Sequence, residues 1–158
     1  MKKIKNAICI ILVFLILFLM GCSVTIGWQT VALYRCGTIK LPSEWEITKT
    51  IHDGYMTLSV DSDDESKNVL VQYESDGEVS PYFDDVQKRE TLYSEGFSNS
   101  ACIAKEKFIY KDGTAEELFT LEFTEPNDLD LIKFVCVDKS VSEDTLRKIA
   151  KSFVMAEK

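Results

Sequence analysis

Histidine occurs once in these 158 residues, at His52, and no serine stands in a Gly-x-Ser-x-Gly elbow. A lone histidine cannot furnish a zinc site without cysteines close by in sequence, and none flank it, so zinc hydrolysis and elbow-type serine hydrolysis both lose their usual residues. His52 precedes Asp53-Gly54, a hairpin signal, and reads as part of a turn rather than a catalytic base. Clusters of Lys and Arg are also missing. Acidic residues outnumber basic ones 26 to 18, and three of the basic residues, Lys2, Lys3 and Lys5, lie in the first five positions. Without those three, 15 basic residues face 26 acidic ones, a formal charge of −11. Such a chain repels phosphate, which argues against nucleic acid as a partner. The acids are mostly scattered, as on a solubilising surface.

What the sequence does have is a cationic head followed by an unbroken apolar run from Ile8 to Met20. Charge held back before a short apolar core is the layout of an export signal, and the run is shorter than the ~20 residues needed to span a bilayer. No charge appears between Asn6 and Arg35, so an uncleaved single-pass anchor with the lysines inside is the competing reading. Leu19-Met20-Gly21-Cys22 distinguishes the two. It resembles the bacterial lipobox, in which a diacylglyceryl group is attached to the thiol and the leader is cut before the cysteine. The resemblance implies cleavage between Gly21 and Cys22 and lipidation of Cys22. Two acyl chains hold a protein stably at a membrane where one does not. The expected organisation is a lipoprotein signal at 1–21, a lipidated tether at 22–36 and one domain at 37–158, with the membrane as a partner through Cys22, on the extracytoplasmic face.

Along the domain, Ile39 and Leu41 alternate with polar neighbours up to Pro42, and Trp45 and Ile47 resume the two-residue period. Met56, Leu58 and Val60 form the next strand, and "NVLVQYE" closes a first meander. Ser80 as a cap, Pro81 in the first turn, and Tyr82, Val86, Arg89 and Tyr93 on one side predict a helix ending at Gly96. Three strands follow, Ala101 to Tyr110, Ala115 to Thr124 and Leu129 to Asp138, separated by turns at Lys111-Asp112-Gly113-Thr114 and Pro126-Asn127-Asp128. Pairing about the first turn sets Cys102 opposite Phe123 and Ala104 opposite Leu121. Pairing about the second sets Phe123 near Ile132, Leu121 near Phe134 and Phe119 near Cys136. These registers keep Cys102 and Cys136 too far apart for a disulfide and make Cys136 a small buried apolar residue. Leu131, Val135 and Val137 make the other side of the last strand apolar too, which predicts cover on both faces. The closing "SVSEDTLRKIAKSF" reads as an amphipathic helix opened by Ser140 and Glu143, with Leu146, Ile149, Ala150 and Phe153 facing inward.

This order, a strand ending in "LPSEW", a meander, one helix, a second meander and a closing "LRKIAKSF" helix, resembles the PsbP-like family on Pro42, Trp45 and the Ile149 to Phe153 ending. The resemblance implies an α+β fold, an antiparallel sheet of about six to seven strands with helices on both faces as an α/β/α sandwich. It also implies a non-catalytic binding or assembly module acting on a protein or small ligand. No cofactor, metal or catalytic residue is implied. Asp61, Asp63 and Glu65 repeat the first ligand spacing of a calcium loop, but Ser66 stands where Gly is required and Gln72 where Glu is required, which excludes an EF-hand and leaves a solvated hairpin turn, with a weak loop-type cation site as the alternative. An enzyme of another type would draw on Asp84, Asp85, Glu116 and Glu117. Neighbouring carboxylates in a helix or a strand diverge, so neither pair makes an acid/base couple alone.

Overall fold

A computed structural model describes residues 27–33, 36–52, 55–59, 68–75, 78–79, 83–124 and 131–157. The described chain is dominated by antiparallel strands. Trp28–Leu33 (β1) and Gly37–Pro42 (β2) form a small sheet with Val154–Met155 (β11), in the order β1-β2-β11. Thr48–His52 (β3), Tyr55–Ser59 (β4), Asn68–Ser75 (β5), Val86–Gly96 (β7), Ala101–Tyr110 (β8), Ala115–Thr124 (β9) and Leu131–Cys136 (β10) build a larger one, ordered β3-β4-β5-β10-β9-β8-β7. The short Glu78–Val79 (β6) pairs off β5. Glu143–Lys151 (α1) is the one helix among the described residues.

One face of the large sheet carries the main core. Ile103, Leu121, Phe123 and Phe134 meet Leu33, Ile39 and Leu41 of the small sheet and Cys36 of its β1–β2 turn, together with Leu146, Ile149 and Phe153. The Phe123 ring centroid lies 5.0 Å from that of Phe153. The other face holds a smaller cluster of Val71, Phe83, Phe108, Leu118 and Val135, with Phe83 stacked on Phe108 at 5.5 Å.

This arrangement corrects the expected α/β/α sandwich. Among the described residues a helix lies on one face only, and the apolar side of β10 is met through Phe83 rather than by a second helix. Val86 to Gly96, read as helical, is strand β7, paired antiparallel to β8. The cause is visible in its register, which shifts between Val86 and Lys88 and again between Thr91 and Tyr93. Each such bulge inserts one residue, so Val86 and Arg89 share a side at a spacing of three, which breaks the two-residue alternation of a strand. Tyr93, expected beside Val86 and Arg89, points the other way.

The β8–β9 register also differs from expectation, by one residue. Ala101 faces Phe123, Cys102 faces Glu122, Ile103 faces Leu121 and Ala104 faces Thr120. Tyr110 N–H donates to Thr114 O at 2.9 Å, leaving a three-residue loop in which Gly113 takes φ +85°. A three-residue hairpin loop ends in a left-handed residue, and a glycine adopts that conformation without strain. A one-residue slip exchanges the faces of a strand. Cys102 is thereby turned away from the main core, and Cys102 and Cys136 are both free thiols, not joined to each other. The β9–β10 pairs Ile132 with Phe123, Phe134 with Leu121 and Cys136 with Phe119 agree with the sequence reading.

At the start of the domain, residues 28–33, assigned from sequence to the tether, are β1 and pair along the whole of β2. The helix begins one turn feature later than expected. Ser142, not Ser140, is the N-cap, its Oγ accepting from Thr145 N–H at 3.1 Å, whereas Ser140 N–H is held by Asp138 Oδ1 at 2.8 Å. Leu146, Ile149 and Ala150 are buried as predicted, and Phe153 is buried just beyond the helix. The far end of α1 is clamped from the β7–β8 connection. Asn99 Nδ2 reaches Ala150 O at 3.0 Å, Lys151 O at 3.3 Å and Phe153 O at 2.9 Å. Carbonyls at a helix end lack the full set of intrahelical donors; here Ala150 O also accepts from Phe153 N–H at 3.2 Å, and Asn99 adds a side-chain donor at this end. Replacing Asn99 with Ala is expected to lower stability by about 1 to 3 kcal/mol, measured as a reduced midpoint in urea unfolding with an unchanged slope.

Candidate functional site

A cavity of about 260 Å³ lies where β8, the middle of β9 and the end of β10 meet the turn leading into α1. Leu118, Phe119, Cys136 and Val141 give it apolar walls, and Lys105, Glu117, Asp138 and Lys139 give it charge. The charges are already engaged. Lys105 Nζ sits 2.7 Å from Glu117, which holds that carboxyl below the usual range, and Lys139 Nζ sits 3.1 Å from Glu116. Asp138 Oδ1 accepts from Ser140 N–H. Cys136 Sγ donates to Asp138 O at 3.5 Å, and burial, followed by the charge of Asp138, pushes its thiol up to about 12. A thiol so high stays protonated near neutrality and is a poor nucleophile. The cavity thus has apolar walls set between ion pairs. Native protein treated with iodoacetamide at pH 8 should leave Cys136 unmodified and label it only on unfolding. Rapid native labelling in peptide mapping would contradict this environment.

On the opposite face of the sheet the structure buries a set of charges. Lys133 Nζ lies 3.1 Å from Glu106 Oε1 and 2.5 Å from Glu122 Oε1, and the Lys133 and Glu106 side chains are each only 3% exposed. Thr91 Oγ1 donates to the same Glu106 oxygen at 3.4 Å, and Arg89 Nε stands 3.8 Å from it. Cys102 belongs to this side, where burial first and the Glu122 carboxylate second raise its pKa. Two carboxylates and two cations leave no surplus charge for an ion to satisfy. Among the described residues, no group of three His, Cys, Asp or Glu side chains is placed to hold a metal.

The residues singled out from sequence are scattered. Gly21 and Cys22 lie outside the described residues, as do Asp61, Asp63 and Glu65. His52 ends β3 opposite Tyr55, and the Asp53-Gly54 pair between them also lies outside. Asp84 and Asp85 are exposed in the turn before β7, where Lys111 binds both of their carbonyls: Lys111 Nζ donates to Asp84 O and its N–H to Asp85 O, each at 2.8 Å. Glu116 and Glu117 fall on opposite sides of β9. Glu116 accepts from the Tyr110 hydroxyl, and Glu117 is the partner of Lys105. None of the four shares a cleft with another. The buried Lys133 set was not read from sequence, although the correct β9–β10 register already sets Lys133 opposite Glu122. A lysine on the same side of a strand as Leu131 and Val135 was the available signal. No protein family, curated protein or solved structure matches this chain.

Proposed function

We propose that the protein is an extracytoplasmic lipoprotein, tethered to the membrane by a diacylglyceryl group on Cys22, whose domain serves as a non-catalytic binding or assembly module. The observation that carries the tether is Leu19-Met20-Gly21-Cys22, placed directly after a cationic head and a short apolar run. Support for a binding role comes from the carboxylates: Glu116 and Glu117 are each engaged with a neighbouring side chain, Asp84 and Asp85 sit exposed at a turn, and the cavity beside Cys136 holds ion pairs rather than an unpartnered base. General acid/base chemistry needs groups converging within hydrogen-bond reach of one reacting atom. The cavity, apolar within and charged at its margin, suits a small side chain or ligand of similar character.

Expression of wild type and Cys22→Ser in a bacterium that processes lipoproteins tests the tether. Wild type is expected in the membrane fraction at the size of the cut chain, and Cys22→Ser as the uncut precursor. Identical, uncut products from both would favour a single-pass anchor instead.

A further inference from the structure

We infer that the end of the small sheet bearing Trp28 and Trp45 rests against the membrane interface; this builds on the lipid tether at Cys22. Covalent chain length limits how far the domain can sit from the lipid. Only five residue steps separate Cys22 from Gly27, and an extended chain covers at most about 3.6 Å per residue, so Gly27 lies within roughly 18 Å of the lipidated sulfur's backbone. A tether running to residue 36 would have let the domain drift, but β1 starts at Trp28 and removes that slack. The domain is held close, and by a defined end.

That end is built around the only two tryptophans in the chain. Trp28 begins β1 opposite Pro42. Ser43 N–H donates to Gly27 O at 2.7 Å, Trp45 N–H to Pro42 O at 3.1 Å, and Gln29 Nε2 to Trp45 O at 2.7 Å and Pro42 O at 3.2 Å. The turn carrying Trp45 is thus bonded to the first residues after the tether. Both rings pack on the main core while remaining partly exposed. Indole, with an apolar body and one N–H donor, favours the headgroup level of a bilayer. The opposite end of β1 and β2, at Leu33 and Gly37, lies about five residues or roughly 17 Å away along the strands. The exposed Val154 is paired with Thr38, near that far end.

Glu44 and Glu46, both exposed, flank Trp45. Carboxylates gain nothing from an anionic surface, so the contact is interfacial and apolar rather than electrostatic, and it suits zwitterionic lipid better than anionic lipid.

Because both tryptophans lie at this end, intrinsic fluorescence reports on it directly. Lipidated full-length product, its diacylated N-terminus verified by mass, is reconstituted into phosphatidylcholine vesicles with or without bromine on the upper acyl chain. The inference expects blue-shifted emission, a loss of intensity with brominated lipid, and recovery of that intensity when a twenty-residue Gly/Ser segment is inserted between Cys22 and Gly27. Emission indifferent to bromine in verified diacylated protein would overturn the membrane contact and leave the tether standing. Absence of the lipid from the mass would instead remove the tether on which the contact rests. Trp28→Phe and Trp45→Phe each retain one reporter and are expected to show partial quenching.

Discussion

Gly37→Ala is expected to cost about 2 to 5 kcal/mol, combining backbone strain with overpacking. Gly37 holds φ +149°, a conformation that side chains resist, and a Cβ there would lie 2.1 Å from Val154 O, 3.0 Å from Met155 Cα and 3.0 Å from the Phe153 ring. The obstructing atoms are largely backbone. They belong to β11, which is held on β2 by the pairs Val154 with Thr38 and Met155 with Gly37, and by the Ala156 N–H bond to Cys36 O at 3.0 Å. Relief would require moving β11 and with it Phe153, which fills the core beside Phe123. Against a total stability of about 5 to 15 kcal/mol, the loss is severe. Urea or thermal unfolding of purified Gly37→Ala should show a strongly reduced midpoint or no cooperative transition, and wild-type behaviour would mean that β11 does not close over Gly37.

Lys133→Met should cost a comparable amount, about 3 to 5 kcal/mol, because removing one member of a buried ion pair leaves the other charge uncompensated. Glu106 is the residue left exposed to that penalty. Its side chain is 3% exposed, its Oε2 already lacks a hydrogen-bond partner, and its remaining neighbours Arg89 and Thr91 stand at 3.8 and 3.4 Å. Glu122 is more accessible, with 27% of its side chain exposed, and water can take over for the lysine there. The effect should therefore be non-additive. Lys133→Met combined with Glu106→Leu is expected to be more stable than Lys133→Met alone, since an apolar pair of similar volume replaces a buried charge pair with little loss. A double variant as unstable as the sum of the two singles would show that Lys133 and Glu106 are not coupled.

Legibility from sequence followed the physics of each segment. The bounds of β8 and β9, the β9–β10 register and the buried side of α1 were readable because apolar residues there recur at one uninterrupted period. Strand β7 was not readable, since its two bulges reset the two-residue alternation, and an edge strand with few buried side chains carries little apolar signal to correct the reading. The β8–β9 slip came from loop length: Lys111 to Thr114 reads equally as a four-residue loop, and only the left-handed Gly113 reveals three. Strand β1 hid because Val31 and Leu33 are its only fully buried positions within a stretch of low charge. The antiparallel pairing of the second meander was legible, whereas the expected α/β/α sandwich was an error: the segment read as a helix is strand β7, and the apolar other side of β10 is covered through Phe83. For the site, the dispersal of Glu116 and Glu117 to opposite sides of β9 was foreseen, while Asn99, a single polar residue in a connection, gave no sequence sign of the three carbonyls it clamps.

The thiol of Cys22 is the centre of the proposed function. Mass analysis of the N-terminal tryptic peptide from membrane-extracted protein tests it directly. A peptide running from Cys22 to Arg35, with a diacylglyceryl group on the cysteine and no residue before it, is the predicted result. A peptide that continues upstream through Gly21 and Met20 with an unmodified Cys22 would contradict it.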